Sequence, residues 1–338
     1  MDEEQYPPYL DYNYSYAYSS NESNACEMGT YLVLHTHLTT VFYTVVFLLS
    51  LLGNTLVLCI LFKYENLTSL TNVSIMNLCV SDLVFSCMLP FWAVEQSFGW
   101  IFGEFLCKAV NAVFSISYYS GVCFLTIMTI LRYLSVVNPL STLRSQTWYY
   151  GFLVSLVVWT GNIIIVIPEM IHTSVTENLE GSKTCWYANW KWKKIDVYQR
   201  NSFFLISFGV IAFCYIKILI ILLRARSRRR HRTVKLILVI VVAFFLSWTP
   251  YNILTVLITL PAPSCQYYKD SHFAFYICRK IAFSHCCLNP VLYVLVGVKF
   301  KRHLLRLCNH YLPCGNGQAS SPRTSSQDKF HYEDASLY

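Results

Sequence analysis

The side chains best able to do chemistry in this chain stand where chemistry is costly. Residues 284–293 read SHCCLNPVLY, inside a stretch otherwise built of Ile, Ala, Phe, Val and Leu. Hydrocarbon penalises polar groups, and proline within a helix deletes a backbone hydrogen bond. His285, Asn289 and Pro290 nevertheless stand close together in one apolar segment. Far upstream, NLCVSDLVF sets a single carboxylate, Asp82, amid another apolar run. A mid-membrane carboxylate costs ~2.5 kcal/mol or more, so it requires a partner: a cation, Asn54 or Asn289. His285 with Cys286 and Cys287 is the one grouping with metal or nucleophile chemistry. Adjacent helical residues point about 100° apart, so these three cannot converge on one ion. What remains is hydrogen bonding and charge pairing inside a membrane, and no enzyme activity is expected.

The elements that position these residues follow from composition. Of 338 residues, 55% are hydrophobic and 13% charged, against about 25% charged in soluble domains. Seven apolar stretches lie near the ~20 residues that cross hydrocarbon. They run over residues 38–62, 72–95, 108–133, 149–171, 200–223, 234–260 and 273–296. The expected fold is an all-α membrane protein, a seven-transmembrane helix bundle over 38–298 with a short amphipathic helix over 299–310. Residues 1–37 read as an acidic, tyrosine-rich segment that stays disordered until bound, and 311–338 as a flexible tail. No basic start or apolar core marks a cleavable signal in residues 1–30. A transporter would want paired intramembrane charges and an internal repeat, and neither is visible.

Orientation follows from Lys and Arg. RARSRRRHR spans 224–232, and Lys299, Lys301, Arg302 and Arg306 follow the last stretch, whereas residues 1–30 contain neither Lys nor Arg. Lys183, Lys191, Lys193 and Lys194 count the other way, in what reads as the longest loop. The larger cluster prevails: N-terminus extracellular, C-terminus cytoplasmic, at the plasma membrane. The formal +8 charge then serves membrane lipids and an acidic cytoplasmic partner, not nucleic acid. Four of the 14 Cys, namely Cys26, Cys107, Cys185 and Cys265, fall on the outer side and permit three disulfide pairings. Asn13 and Asn21 head glycosylation sequons there. Cys308 and Cys314 follow the last span as palmitoylation candidates or free thiols.

The run Asn289-Pro290-Val291-Leu292-Tyr293 resembles the seventh-helix NPxxY motif of rhodopsin-like G-protein-coupled receptors, and the preceding SHCC narrows the resemblance to the chemokine receptor branch. Gly53-Asn54, Asp82, Leu131-Arg132-Tyr133, Trp159 and Ser247-Trp248-Thr249-Pro250 stand in the matching order. FSISYYS, RRRHRTVKLI and AFSHCCLNPVLYVLVGVKF look most like the XC class of that branch. The resemblance implies an activation switch of Asp82, Arg132, Tyr133, Tyr215, Trp248, Pro250, Asn289, Pro290 and Tyr293. It implies disulfides Cys107–Cys185 and Cys26–Cys265, and no cofactor. In the family the aspartate sits in a sodium pocket. Here Gly121 replaces a frequent Ser and His285 an Asn, which counts against sodium and leaves a polar hub.

The same resemblance implies a ligand cavity lined by Trp92, Glu95, Phe114, Tyr118, Tyr251, Tyr276 and Arg279. Many chemokine receptors carry glutamate at the Arg279 position, so the ligand here is expected to present an acidic group. Tyr12, beside Asp11, is the foremost sulfation candidate, with Tyr6, Tyr9 and Tyr14 next. The implied partners are an extracellular XC-type chemokine, an inhibitory-class G protein, and arrestin and receptor kinase on the tail. Leu131 replaces the family's usual aspartate, which would otherwise pair with Arg132. A scavenger uncoupled from G protein is therefore the alternative. Signalling is expected because Arg132, Tyr133, Tyr215 and Tyr293 remain. Phe283 occupies the family's retinal-lysine position, which excludes an opsin.

Overall fold

The computed structural model describes residues 31–137, 148–177, 181–224, 228–261, 263–296 and 298–311. Helix α1 spans Tyr31–Tyr64, α2 Leu70–Ser86, α3 Leu89–Phe98, α4 Gly103–Val137 and α5 Trp148–His172. An antiparallel hairpin of β1 (Thr173–Glu177) and β2 (Lys183–Tyr187) follows. The chain continues through α6 (Trp190–Arg224), α7 (Arg228–Ile258), α8 (Cys265–Phe283), α9 (His285–Val296) and α10 (Val298–Tyr311). Tyr12, Asn13, Asn21, Cys26 and the tail beyond Tyr311 lie outside the described residues.

Six crossings are long and apolar enough to span a membrane: Thr36–Tyr64, Leu70–Phe98, Gly103–Val137, Tyr149–His172, Trp190–Ile221 and Leu236–Ile258. The seventh comes in two pieces, α8 and α9. The protein is a multi-pass, helical membrane protein. Leu52, Ile206, Leu246 and Leu295 stand well exposed on its flanks. That surface is a liability in water and normal in hydrocarbon.

Two of the expected continuous spans are broken, and proline accounts for the first. Its ring clashes with the carbonyl four residues back. Pro90 therefore ends α2 at Ser86, and Cys87-Met88 turns the chain into α3. The break is closed by bonds from Met88 N to Phe85 O (3.0 Å) and from Phe91 N to Met88 O (3.1 Å). At the second break, Ser284 N donates to Lys280 O at 3.0 Å, and Ser284 O accepts from Cys287 N and Leu288 N at 3.2 Å each. These bonds pair backbone groups that the turns would otherwise leave open, as a membrane interior requires.

Pro290, inside α9, cannot bond the carbonyl of Cys286. Asn54 on α1 donates Nδ2 to that oxygen at 2.8 Å, and Ser50 Oγ approaches it at 3.4 Å. This close crossing explains the neighbouring glycine. A Cβ on Gly53 would lie 2.8 Å from Pro290 Cβ and 2.9 Å from its Cγ.

The long loop expected over residues 171–200 is instead a hairpin followed directly by helix. Strand β2 is anchored to α4 by the Cys107–Cys185 disulfide. Glu104 Oε2 accepts Val175 N at 2.8 Å, and Trp100 N donates to Lys183 O at 2.6 Å. Gly99, at φ 72°, allows that approach, since a Cβ would meet Lys183 O at 2.9 Å. Helix α6 starts at Trp190, ten residues earlier than expected. Cation–π contacts favour this early start: Lys193 Nζ lies 4.6 Å from the Trp186 ring and 4.9 Å from that of Tyr187. Helix α4 is the axis of the bundle, packing on α2, α5, α6, α7 and β1. Asn77 on α2 and Trp159 on α5 are joined by a 2.9 Å hydrogen bond from the indole to the amide oxygen.

Gly53→Ala should lower the thermal unfolding midpoint of the purified protein, by the equivalent of about 1–3 kcal/mol of overpacking. Gly209→Ala, whose Cβ would meet nothing within 4 Å, should leave the midpoint unchanged or slightly raised. Equal midpoints for the two variants would show that the Gly53–Pro290 approach does not constrain the crossing.

Candidate functional site

Four clusters run through the bundle from the hairpin end to the opposite end. At the hairpin end stand Trp92 and Glu95 on α3 and Arg279 on α8, with Phe283 in contact with both Trp92 and Arg279. Glu95 Oε1 accepts the backbone N–H of Cys185 at 3.1 Å, so the disulfide-bonded strand helps hold the carboxylate. The Arg279 guanidinium lies 5.6 Å from the Tyr276 ring and 5.9 Å from those of Tyr43 and Phe283. Trp92, Glu95 and Arg279 are half-buried. Phe114, Tyr118, Tyr251 and Tyr276 lie deeper and are buried. The expected cavity residues are therefore brought together as a half-open charged rim over a packed aromatic floor.

Phe283 and Trp248 organise that floor. Trp92 stacks on Phe283 at 5.2 Å, and Phe114 lies 5.6 Å from it. Trp248, fully buried in α7, meets Tyr118 at 4.6 Å, Tyr251 at 5.4 Å and the His285 imidazole at 5.1 Å. Asn252 Nδ2 donates to Trp248 O at 3.0 Å and to Tyr118 Oη at 3.4 Å, tying α7 to α4. Pro250 sits within α7 two residues after Trp248.

Below Trp248 is the polar hub. Asp82 is 2% exposed, deep enough that every lone pair matters. Asn289 Nδ2 donates to Asp82 Oδ2 at 2.7 Å, and His285 Nε2 stands 3.4 Å from Oδ1. Asn54, expected as an alternative partner for Asp82, instead serves the Cys286 carbonyl. Ser81 and Ser120 are 2.8 Å apart, and Ser81 Oγ also donates to Ser117 O at 2.8 Å. Gly121 adds no polar group to this wall.

At the far end, Arg132 is half-buried on α4, with Nε lacking a hydrogen-bond partner among the described residues. Leu131 offers it no carboxylate. Tyr133 and Tyr215 pack on a small cluster of Val136, Ile218 and Val234. Tyr293 is fully buried and stacks on Phe300 of α10 at 5.5 Å. His303 on α10 sits 3.4 Å from Glu65 and stacks on Tyr64, which fastens α10 to the turn after α1.

The fourth cluster was missed in sequence. Arg200 on α6 contacts Asp196 at 3.0 and 3.1 Å, Ser115 Oγ at 3.0 Å and Glu169 on α5 at 3.6 Å. Its guanidinium also lies 4.9 Å from the Phe114 ring. Tyr187 donates to Glu169 at 3.2 Å, and burial pushes its phenol well above its ordinary value. All three charged residues are buried. The available signals were the four-residue spacing of Asp196 and Arg200 and an acid after Pro168 in an apolar run. Asp196 fell in the expected loop, whereas Glu169 lay inside the expected span 149–171 and Arg200 at the start of the next, where neither was read as half of a buried pair. The cluster joins α4, α5 and α6 beside the aromatic floor.

The chain matches the 7 transmembrane receptor (rhodopsin family) over residues 53–293. It is 51% identical over 330 residues to Chemokine XC receptor 1 of Homo sapiens, covering 96% of this chain and 97% of that protein. Chemokine XC receptor 1 of Mus musculus is 48% identical over 324 residues, with 96% and 98% covered. C-C chemokine receptor type 4 of Homo sapiens is 37% identical over 273 residues, with 78% and 76% covered.

Arg200→Met leaves two buried carboxylates without their cation and should destabilise the fold by about 3–5 kcal/mol. Adding Asp196→Asn should recover a large part of that loss in thermal unfolding of the purified protein. No recovery would show that Arg200 acts by packing alone.

Proposed function

The chain belongs to the chemokine receptors of the rhodopsin-like seven-transmembrane family, and from that premise we propose that it binds an XC-type chemokine and activates an inhibitory-class G protein. Relatives named Chemokine XC receptor 1, matched over nearly their whole length, support the ligand class. In this reading the hairpin end is extracellular and the Arg132 end cytoplasmic, at the plasma membrane. The basic ends of α6 and α7 and helix α10 then contact lipid headgroups and the G protein. The tail is the expected site of receptor kinase and arrestin. The acidic N-terminal segment, with Tyr12 at its centre, is the first contact for a basic chemokine.

The observation that carries the reading is one continuous stack. Arg279 lies over Phe283, Phe283 lies 6.3 Å from Trp248, Trp248 touches His285, and His285 faces Asp82. An acidic group at the chemokine's N-terminus would pair with Arg279 and move the ring beneath it. That motion reaches Trp248 and the hub through these successive contacts. A shift between two helix arrangements would follow, provided the ligand binds one of them better. Arg132 is then the residue that reaches the G protein as α7 swings outward.

Leu131 supports a second reading. Without a neighbouring carboxylate, Arg132 is less firmly held in the resting state, and a chemokine scavenger uncoupled from G protein would tolerate that change. The experiment is a chemokine panel read out in the same cells by nucleotide exchange and by uptake. Exchange on an inhibitory-class G protein driven by an XC-type ligand is expected. Uptake without exchange would favour the scavenger. Arg279→Glu should reduce agonist potency by roughly tenfold more than it reduces surface binding, the equivalent of one ion pair. Equal losses would argue that Arg279 does not receive the activating group.

A further inference from the structure

Each oxygen of Asp82 faces a side chain. Oδ2 is taken by the Asn289 amide at 2.7 Å, and Oδ1 faces His285 Nε2 at 3.4 Å. The imidazole is fixed from its other side. His285 Nδ1 lies 2.8 Å from Ala282 O, and a carbonyl only accepts, so Nδ1 carries a hydrogen. Aromatic rings hold the imidazole in place: Phe85 at 5.1 Å, Phe244 at 5.6 Å and Trp248 at 5.1 Å. Its remaining nitrogen, Nε2, is the ring atom that stands 3.4 Å from Oδ1 of the carboxylate.

The surroundings offer a sodium ion little. Sodium, a hard cation, is best served by oxygen ligands, and a ring nitrogen stands where it would sit. Gly121 contributes no oxygen, and the Ser81 and Ser120 hydroxyls are engaged with each other and with Ser117 O. Asn54 Oδ1 and Ser117 Oγ are buried without partners among the described residues. Beside the carboxylate, these two neutral oxygens are what is left to replace the water shell of an incoming ion. The ionisable neighbours that feel Asp82 are Cys79 on α2 and Cys286, Cys287 and Tyr293 on α9. None of these can carry a positive charge.

We propose that the His285 imidazole itself fills the cation position beside Asp82, so that this hub takes no sodium ion. The residues do not fit the ion that the resemblance would place there. The inference goes beyond the signalling role and needs neither ligand nor G protein for its test.

Thermal unfolding of the full chain in lipid nanodiscs, in sodium chloride against N-methylglucamine chloride at equal ionic strength, tests it. The unsubstituted protein should show the same midpoint in both salts. The double variant Gly121→Ser with His285→Asn restores oxygens and removes the ring. A Cβ at Gly121 meets Leu78 and Phe244 only at 3.9 Å, so the serine fits. This variant should gain a sodium-specific rise of roughly 2 °C or more, lost again on adding Asp82→Asn. A sodium-specific rise in the unsubstituted protein that Asp82→Asn abolishes would overturn the proposal. So would a folded double variant that remains indifferent to sodium, because the ring would then not be what excludes the ion. Should the double variant fail to fold, sodium-23 relaxation with the unsubstituted protein and with Asp82→Asn decides. Matching linewidths support the proposal, and Asp82-dependent broadening refutes it.

Discussion

Hydrocarbon contains no water to receive a freed backbone carbonyl, and this bundle is arranged around that fact. Pro290 strips the Cys286 carbonyl of its helical partner, and α1 must come close enough to supply one. Asn54 does so at 2.8 Å, which is possible only because Gly53 lets the Pro290 ring lie against the α1 backbone. One missing hydrogen bond thus specifies a glycine, an amide and a helix crossing. The same crossing positions α9 so that Asn289 and His285 meet Asp82 from α2.

The two breaks in the apolar spans serve the same end. Ending α2 at Ser86 starts a new helix that carries Trp92 onto Phe283 and Glu95 onto the Cys185 N–H. Breaking the last span at Ser284 puts Phe283 and His285 on consecutive levels of one aromatic stack. Phe283 meets the charged rim, and His285 meets the hub. Trp248 lies between α4 and these two residues, in contact with a histidine below and tyrosines on either side. A displacement at any level must be taken up by its neighbours, because close-packed interiors shift between discrete arrangements instead of yielding gradually.

Much of this was legible in the residues. Apolar length marked the crossings, and an isolated Asp82 announced a buried partner. Asn289 was among the partners expected, and it is the one that bonds. The Arg200 cluster was not legible. Asp196 and Arg200 lie at helical spacing, but the lysines and tryptophans around them have the composition of a loop, and their partner Glu169 comes from α5. Only the hairpin, fastened at Cys185 to α4, brings α5 and the start of α6 together. The hairpin itself was hidden because five-residue strands beside a disulfide carry too little apolar alternation to stand out.

The sequence by itself determined that this is a bundle of membrane-crossing helices carrying a switch of chemokine-receptor type, because hydropathy and the order of motifs are properties of the chain. Tertiary structure decided the partners. It assigned Asn54 to a carbonyl and not to Asp82, gave Asp82 to Asn289 and His285, and buried Arg200 between two acids. In hydrocarbon each polar group must be matched one to one, and which match is made depends on helix rotations and crossings that no single segment encodes.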